Sequence, residues 1–404
     1  MTASMNDFVS DLVKRVKPSA TIAVSMKAAE LKRAGKDVIG LGAGEPDFDT
    51  PDHIKAAAIE AIQQGKTKYT AVDGTPELKQ AIIGKLLRDN HVNYQANEIL
   101  VSCGAKHSIS NLLCAVINPG DEVIIPTPYW VSYPDMTLLA GGESVIVETS
   151  IATDFKLTAE QLTQAITAKT KLVMLNSPSN PTGKAYSQAE LKAIGEVIKE
   201  HPHVLIATDD IYEHIYWGHE PLVNLVALFP ELKERVIIIN GVSKAYAMTG
   251  WRIGFAAGPA EIITAMRKVQ SQSTSNPCSI SQAAAVAAYN GPQDCLQTMR
   301  VAFKERHDYL VTALNQLPGF SCTTGDGAFY AFPNVSAAVE KIDGISDDVE
   351  LATWLLENAG VAVVPGTPFG APGYVRLSFA TSIDVLKEAV ERVAKALQPF
   401  FLKD

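Results

Sequence analysis

Apolar residues at helical spacing open the chain. They predict helices over 7–16 and 22–34, the first stopped by Pro18 and the second by Gly35. The same rhythm predicts helices over 77–90, 188–199, 298–314 and 383–397, and another opening at Cys103-Gly104-Ala105-Lys106-His107-Ser108. Short apolar runs predict strands at 99–102, 122–126, 144–147, 171–175, 204–207 and 236–239. Strand, turn and helix alternate to about residue 290, which predicts an α/β fold with a mostly parallel sheet. Past Pro292, strands expected at 327–332, 361–364 and 374–379 join the long helices in a second, α+β lobe. The boundary falls near 292–300.

The polar punctuation lies where such a sheet binds ligands, outside the carboxyl ends of its strands. Ser177-Pro178-Ser179-Asn180-Pro181-Thr182-Gly183 follows one predicted strand, Asp209-Asp210-Ile211-Tyr212 a second, and Ser243-Lys244 a third. Lys244 stands among small and apolar residues, with Arg252 eight positions on. Desolvation lowers an amine's pKa and frees its lone pair to attack an aldehyde. Arg252, as a planar fork, and the Ser243 hydroxyl suit a phosphate. A Schiff-base lysine beside phosphate ligands suggests pyridoxal phosphate (PLP); from this stretch alone, a lysine meeting only water is the other reading. The strand–Gly–helix junction at 103–108 offers free N–H groups and a positive helix end to an anion. Gly42-Ala43-Gly44 resembles the start of a dinucleotide fingerprint, but position 47, where its third glycine would fall, is Asp47, and Pro46 breaks the helix that should follow. Glycines that let the backbone approach a small ligand are the better reading.

At 404 residues the chain exceeds one ordinary domain, and 47% apolar with 20% charged residues suits an enzyme with a large core. A net charge of −9 argues against nucleic acid or an anionic membrane as the main partner. Cys103, Cys114, Cys278, Cys295 and Cys322 are odd in number and scattered, which supports neither a disulfide framework nor a zinc site. Reduced thiols in a cytoplasmic protein fit best. The N-terminal stretch lacks a signal-peptide apolar core, and no apolar run reaches the ~18 residues needed to span a bilayer. His201-x-His203 and Asp209-Asp210 lack a third ligand at usable spacing, so no metal is expected.

Taken together, Lys17-Pro18-Ser19-Ala20-Thr21, Ala43-Gly44-Glu45-Pro46-Asp47-Phe48-Asp49-Thr50-Pro51, Lys68-Tyr69-Thr70, Pro128-Tyr129-Trp130-Val131-Ser132-Tyr133-Pro134, Asn180-Pro181-Thr182-Gly183, the Lys244 loop and Val375-Arg376-Leu377-Ser378 resemble the class I aminotransferases. Within that family the chain is most similar to the bacterial-type aspartate aminotransferases, some of which also transaminate prephenate. The resemblance implies the fold type I PLP-dependent transferase architecture, with a three-layer αβα large domain and a smaller α+β domain. It divides the chain into an N-terminal arm and part of the small domain (1–50), a large PLP-binding domain (51–295) and a small C-terminal domain (296–404).

Residue by residue, it implies that Lys244 forms the Schiff base and shuttles the substrate proton. Asp209, three positions before Tyr212, would pair with the pyridine nitrogen; adjacent Asp210 is the competing choice. Tyr212 and Asn180 would bond the ring's phenolic oxygen, and Trp130 would stack on the ring. The phosphate would sit on Gly104, Ala105 and Lys106 with Ser243 and Arg252, and Tyr69 would reach the phosphate of a neighbouring subunit in a homodimer with shared sites. Arg376 would hold the substrate α-carboxylate, helped by Gly44 and Asn180, with Trp130 also on the substrate side. Ser19, Thr21 and Lys106 would meet the second carboxylate of aspartate or glutamate.

His107 stands where the subgroup commonly has Gln, and either alters the substrate pocket or caps a core contact. The expected activity is ping-pong transfer from L-aspartate to 2-oxoglutarate. Alternatives are a transaminase for prephenate, aromatic or alanine-like substrates, and a PLP lyase on the same scaffold. A PLP-binding regulator would need a DNA-binding module, for which the 16 residues before Lys17 are too few.

Overall fold

A computed structural model describes residues 8–401, so residues 1–7 and 402–404 of the expected division lie outside the described residues. Strand β1 (Ile39–Gly40) belongs to a small pair. The next seven form one sheet: β2 (Ile99–Ser102), β3 (Glu122–Pro126), β4 (Glu143–Val147), β5 (Thr170–Asn176), β6 (Leu205–Asp209), β7 (Val236–Gly241) and β8 (Gly254–Ala257). Their spatial order is β2-β8-β7-β6-β5-β3-β4. Pairing is parallel from β4 through β7, and β8 runs against both β7 and β2.

Helices cover both faces of this sheet, so its central strands read as unbroken apolar runs. Val123, Ile125, Ile237 and Ile239 face a core shared with the helices Ala105–Val116 and Ala260–Ser271. Their neighbours Ile124, Val236 and Ile238 face the opposite core, with Leu78, Leu86 and Ile194. Each such side chain, fully buried, stabilises the fold by roughly 1.5–3 kcal/mol. A further core joins Ile39 and Leu41 to Tyr212, Phe303, Phe329, Leu377 and Leu386. It surrounds β9 (Tyr330–Ala331), β10 (Val361–Ala362), β11 (Val364–Pro365) and β12 (Val375–Ser378). There β1 pairs with β10, and β11-β12-β9 form an antiparallel sheet.

Three expectations change. The run expected at 361–364 splits into two strands, because Val361 pairs with Ile39 while Val364 crosses to Arg376 in another sheet. Of the strand expected at 327–332 only Tyr330–Ala331 forms a ladder. The helix expected over 7–16 is Asp11–Arg15, capped by Ser10, whose hydroxyl accepts from the Val13 N–H; Asp7 lies outside the described residues. Little packing supports that stretch, since Phe8 and Val13 are exposed.

Strand register and one glycine position the site. Asn176 of β5 is level with Asp209 of β6, and Asp209 with Ile239 of β7, so the polar segments that follow emerge side by side. At Gly254, which opens β8, a Cβ would collide with the backbone of Gly104 and Ala105. Its absence lets the helix Ala105–Val116 begin directly against the end of the sheet. Among the described residues no helix is long and apolar enough to cross a membrane.

Candidate active site

A cleft of about 300 Å³ opens at the carboxyl ends of these strands. Lys244, Asp209, Tyr212, Asn180, Ser243, Arg252, Arg376, Trp130, Ala105, Lys106, Gly44, Ser19 and Thr21 all line it. Four cations thus face one carboxylate, and among the described residues none of the four forms an ion pair with a carboxylate. An unneutralised cationic cleft suits an anionic guest.

Lys244 follows β7 and opens onto the cleft, where its Nζ donates to the Gly44 carbonyl at 2.5 Å. Surrounding protein desolvates the amine and the nearby Arg252 repels its charge, which together hold its pKa down at about 8. Asp209, at the end of β6, is buried, and its carboxyl is pushed up to about 6 by that burial. Tyr133 opposes the rise by donating to Oδ2 at 2.7 Å. The other oxygen, Oδ1, is buried with no partner among the described residues, an acceptor free for a donor brought in by a ligand.

Opposite lies an anion cradle. Gly104 caps the helix Ala105–Val116 with φ 88°, a left-handed conformation that favours glycine, and a Cβ there would strike the Arg252 guanidinium. Arg252 is itself left-handed at φ 55° and among the described residues donates only to carbonyls, Thr249 at 3.0 Å and Cys103 at 3.3 Å. Buried Ser243 also lines this end.

Arg376, on β12, is 1% exposed. Its Nη1 donates to Asn180 Oδ1 at 2.9 Å and its Nη2 to the Gly42 carbonyl at 2.7 Å, while Nε has no partner among the described residues. The guanidinium lies 4.3 Å from the centre of the Tyr330 ring. At the cleft's outer end Ser19 Oγ and Thr21 Oγ1 are 3.0 Å apart, and Lys106 Nζ lies 4.7 Å from the Trp130 ring centre. Burial and Arg252 lower the Lys106 pKa.

Two expected site residues lie outside the lining. Gly104 acts from behind, beneath Arg252, and Tyr69 is 92% exposed in a different depression beside the helices Asp52–Gln63 and Ser279–Asn290. Asp210 turns away into a second cavity, where it accepts from Asn224 at 2.7 Å, so geometry separates it from Asp209. His107 Nδ1 accepts from the Cys103 N–H at 3.2 Å and caps the helix start rather than lining the cleft. Sequence reasoning passed over Tyr133 and Tyr330, whose hydroxyls meet Asp209 and Tyr212. Tyr133 sits within the quoted 128–134 motif, but nothing local marks its role.

Comparison with known proteins places the chain in one family. The sequence profile described as "Aminotransferase class I and II" matches residues 36–393. An aspartate/prephenate aminotransferase of Nitrosomonas europaea is 55% identical over 394 residues, 96% of this chain and 99% of the relative. An aspartate aminotransferase of Geobacillus stearothermophilus is 54% identical over 390 residues, 96% of this chain and 99% of the relative. Among solved structures, the aspartate aminotransferase of Rhizobium meliloti superposes with a TM-score of 0.93 at 49% identity, covering 96% of this chain and 98% of its own. That of Thermus thermophilus, solved with maleate, gives 0.91 at 43% identity, covering 96% and 99%. With near full-length matches on both sides and the lysine, aspartate and arginines in one cleft, this chain belongs to the class I and II aminotransferase family.

Proposed function

We propose that the protein is a PLP-dependent aspartate aminotransferase that passes the amino group of L-aspartate to 2-oxoglutarate, giving oxaloacetate and L-glutamate in a ping-pong cycle. The observation that carries this reading is a depressed-pKa lysine, Lys244, sharing one cleft with a buried carboxylate that keeps a free oxygen, Asp209. The residues present fit the cofactor. Oδ1 of Asp209 is positioned to accept from a ring N–H, and Arg252, Ser243 and the helix N-terminus at Gly104, Ala105 and Lys106 supply donors for a phosphate. When bound, PLP supplies an aldehyde that captures amines and a ring that takes up the electron pair released at the substrate Cα.

The chain's own residues do the rest. Asp209 would keep the ring nitrogen protonated, Asn180 and Tyr212 would donate to the phenolic oxygen, and Trp130 would lie against the ring. Lys244 Nζ, whose pKa is held down at about 8, would take the proton from the substrate Cα and deliver it to the carbon that had been the cofactor's aldehyde. Arg376 grips the α-carboxylate as a fork together with Gly44 and Asn180, and Ser19, Thr21 and Lys106 take the distal carboxylate. The Thermus thermophilus relative solved with maleate, a dicarboxylate, supports that last assignment.

The protein acts in the cytoplasm as a homodimer, with Tyr69 of each copy completing the site of the other. Residues 51–295 form the proposed cofactor domain and 296–404, with part of 1–50, the smaller one. Prephenate is a second amino acceptor to weigh, because the Nitrosomonas europaea relative carries it in its name.

The test is the visible spectrum of the PLP-loaded protein. L-Aspartate alone should abolish the cofactor band and 2-oxoglutarate should restore it. A band that ignores aspartate refutes the donor, and failure to bind PLP at all refutes the role of Lys244.

A further inference from the structure

Tyr330 bridges the two halves of the cleft. It lies on β9, is 1% exposed, and its hydroxyl is 2.9 Å from that of Tyr212. Its ring lies under the Arg376 guanidinium, 4.3 Å from the centroid. A Cβ added at Gly44 would sit 3.1 Å from the Tyr330 hydroxyl, so the backbone closes over it from a third side.

A phenol carries one proton, and among the described residues each of these hydroxyls bonds only the other. One proton is therefore spent between them and one remains. Either oxygen could donate, so the direction must come from their surroundings. The cation over the Tyr330 ring favours negative charge on that phenol and makes it the stronger donor. Burial raises the pKa of both, while Arg376 and the bond to Tyr212 act against the rise at Tyr330.

We propose that Tyr330 is a positioning residue: its hydroxyl donates to the Tyr212 oxygen and leaves the Tyr212 proton for the cofactor's phenolic oxygen. The inference rests on the reading that Tyr212 faces that oxygen. It makes Tyr212 a better donor than a lone phenol, because an accepted hydrogen bond polarises the O–H that is given. It also ties the carboxylate-binding arginine to the cofactor's electronics through one ring.

Tyr330→Phe keeps the ring beneath Arg376 and removes only the hydroxyl. In the holoenzyme, the midpoint of the cofactor's visible pH titration should rise by about one unit, as expected for weakening one hydrogen bond to an anionic oxygen. KM for aspartate should change less than about threefold, because the aromatic face stays. Tyr212→Phe should raise the midpoint at least as far, and the double variant no further than Tyr212→Phe alone.

An unshifted Tyr330→Phe beside a shifted Tyr212→Phe overturns the inference and spares the functional reading. No shift in Tyr212→Phe overturns the placement of Tyr212 and this inference with it. A raised KM without a midpoint shift assigns Tyr330 to packing alone. Should Tyr330→Phe not fold, 3-fluorotyrosine at position 330 keeps the shape and acidifies the phenol. The midpoint must then fall, and an unchanged midpoint rejects the proposal.

Discussion

Asp209 works against the cofactor-free fold. Its carboxyl, ordinarily near 3.8, is pushed up to about 6 by burial. Between those values the native state keeps a proton that the unfolded chain has lost, so this group's contribution to stability declines as pH rises from about 4 to about 6. The apoprotein of Asp209→Asn should therefore gain up to ~3 kcal/mol over wild type at pH 7 and almost nothing at pH 4, while binding PLP far more weakly. Urea denaturation at the two pH values reads the difference; an equal gain at both shows that Asp209 ionises normally. Lys106 makes a separate prediction. Lys106→Ala should cut kcat/KM for aspartate about a hundredfold, the worth of a charge-assisted contact, and leave alanine turnover nearly unchanged. Unimpaired aspartate turnover would remove Lys106 from the distal-carboxylate site. Lys244 was legible in the sequence because a lysine in an apolar setting calls for a reason, whereas Asp209 and Lys106 were named through the family resemblance. Tyr133 and Tyr330 were not, since a phenol's role depends on what its hydroxyl meets, here 76 and 118 residues away.

Where strands are buried on both faces, their limits followed closely from apolar runs, as in β2 and β3. The four-residue β8, Gly-Phe-Ala-Ala, escaped because small residues give little strand signal, and its existence depends on pairing with β7 and β2. That strand nevertheless sets the cradle height. Gly254→Val would push its side chain into the Gly104–Ala105 backbone, which cannot yield as a flexible side chain would. Overpacking of this kind costs about 1–3 kcal/mol, and here it also displaces the N–H groups proposed to hold the phosphate. The expected result is a lowered melting temperature together with at least tenfold weaker binding of PLP. Val123→Ala supplies the contrast, because Val123 is equally buried but faces a core below the cleft. It should lose comparable stability and keep its affinity for PLP. Equal affinity in both variants would mean that β8 does not position the phosphate donors.

At the scale of the whole molecule, the cleft gathers residues from Ser19 to Arg376, and contacts such as Arg376–Gly42 span 334 positions. Sequence could name those residues by resemblance, but only the packed chain brings them together. Tyr69 stands apart from this cleft, 92% exposed, yet its segment is firmly held: Gln282, fully buried, donates to the Thr70 hydroxyl at 3.0 Å and accepts from the Thr75 N–H at 2.8 Å. An exposed aromatic on a fixed segment suits a role in a second copy. If each Tyr69 completes the other copy's site, two defective variants should complement each other. Lys244→Ala and Tyr69→Ala are each expected to be severely impaired alone. In a mixed dimer, the protomer that keeps Lys244 receives the intact Tyr69 of its partner, while the other site carries both defects. Random reassociation makes half the dimers mixed, each with one whole site, so activity should recover to about a quarter of wild type. Recovery must also depend on subunit exchange, appearing after co-unfolding and refolding but not on brief mixing of the folded variants. If activity stays at the sum of the two variants while mixed dimers are detected, Tyr69 serves its own chain or none.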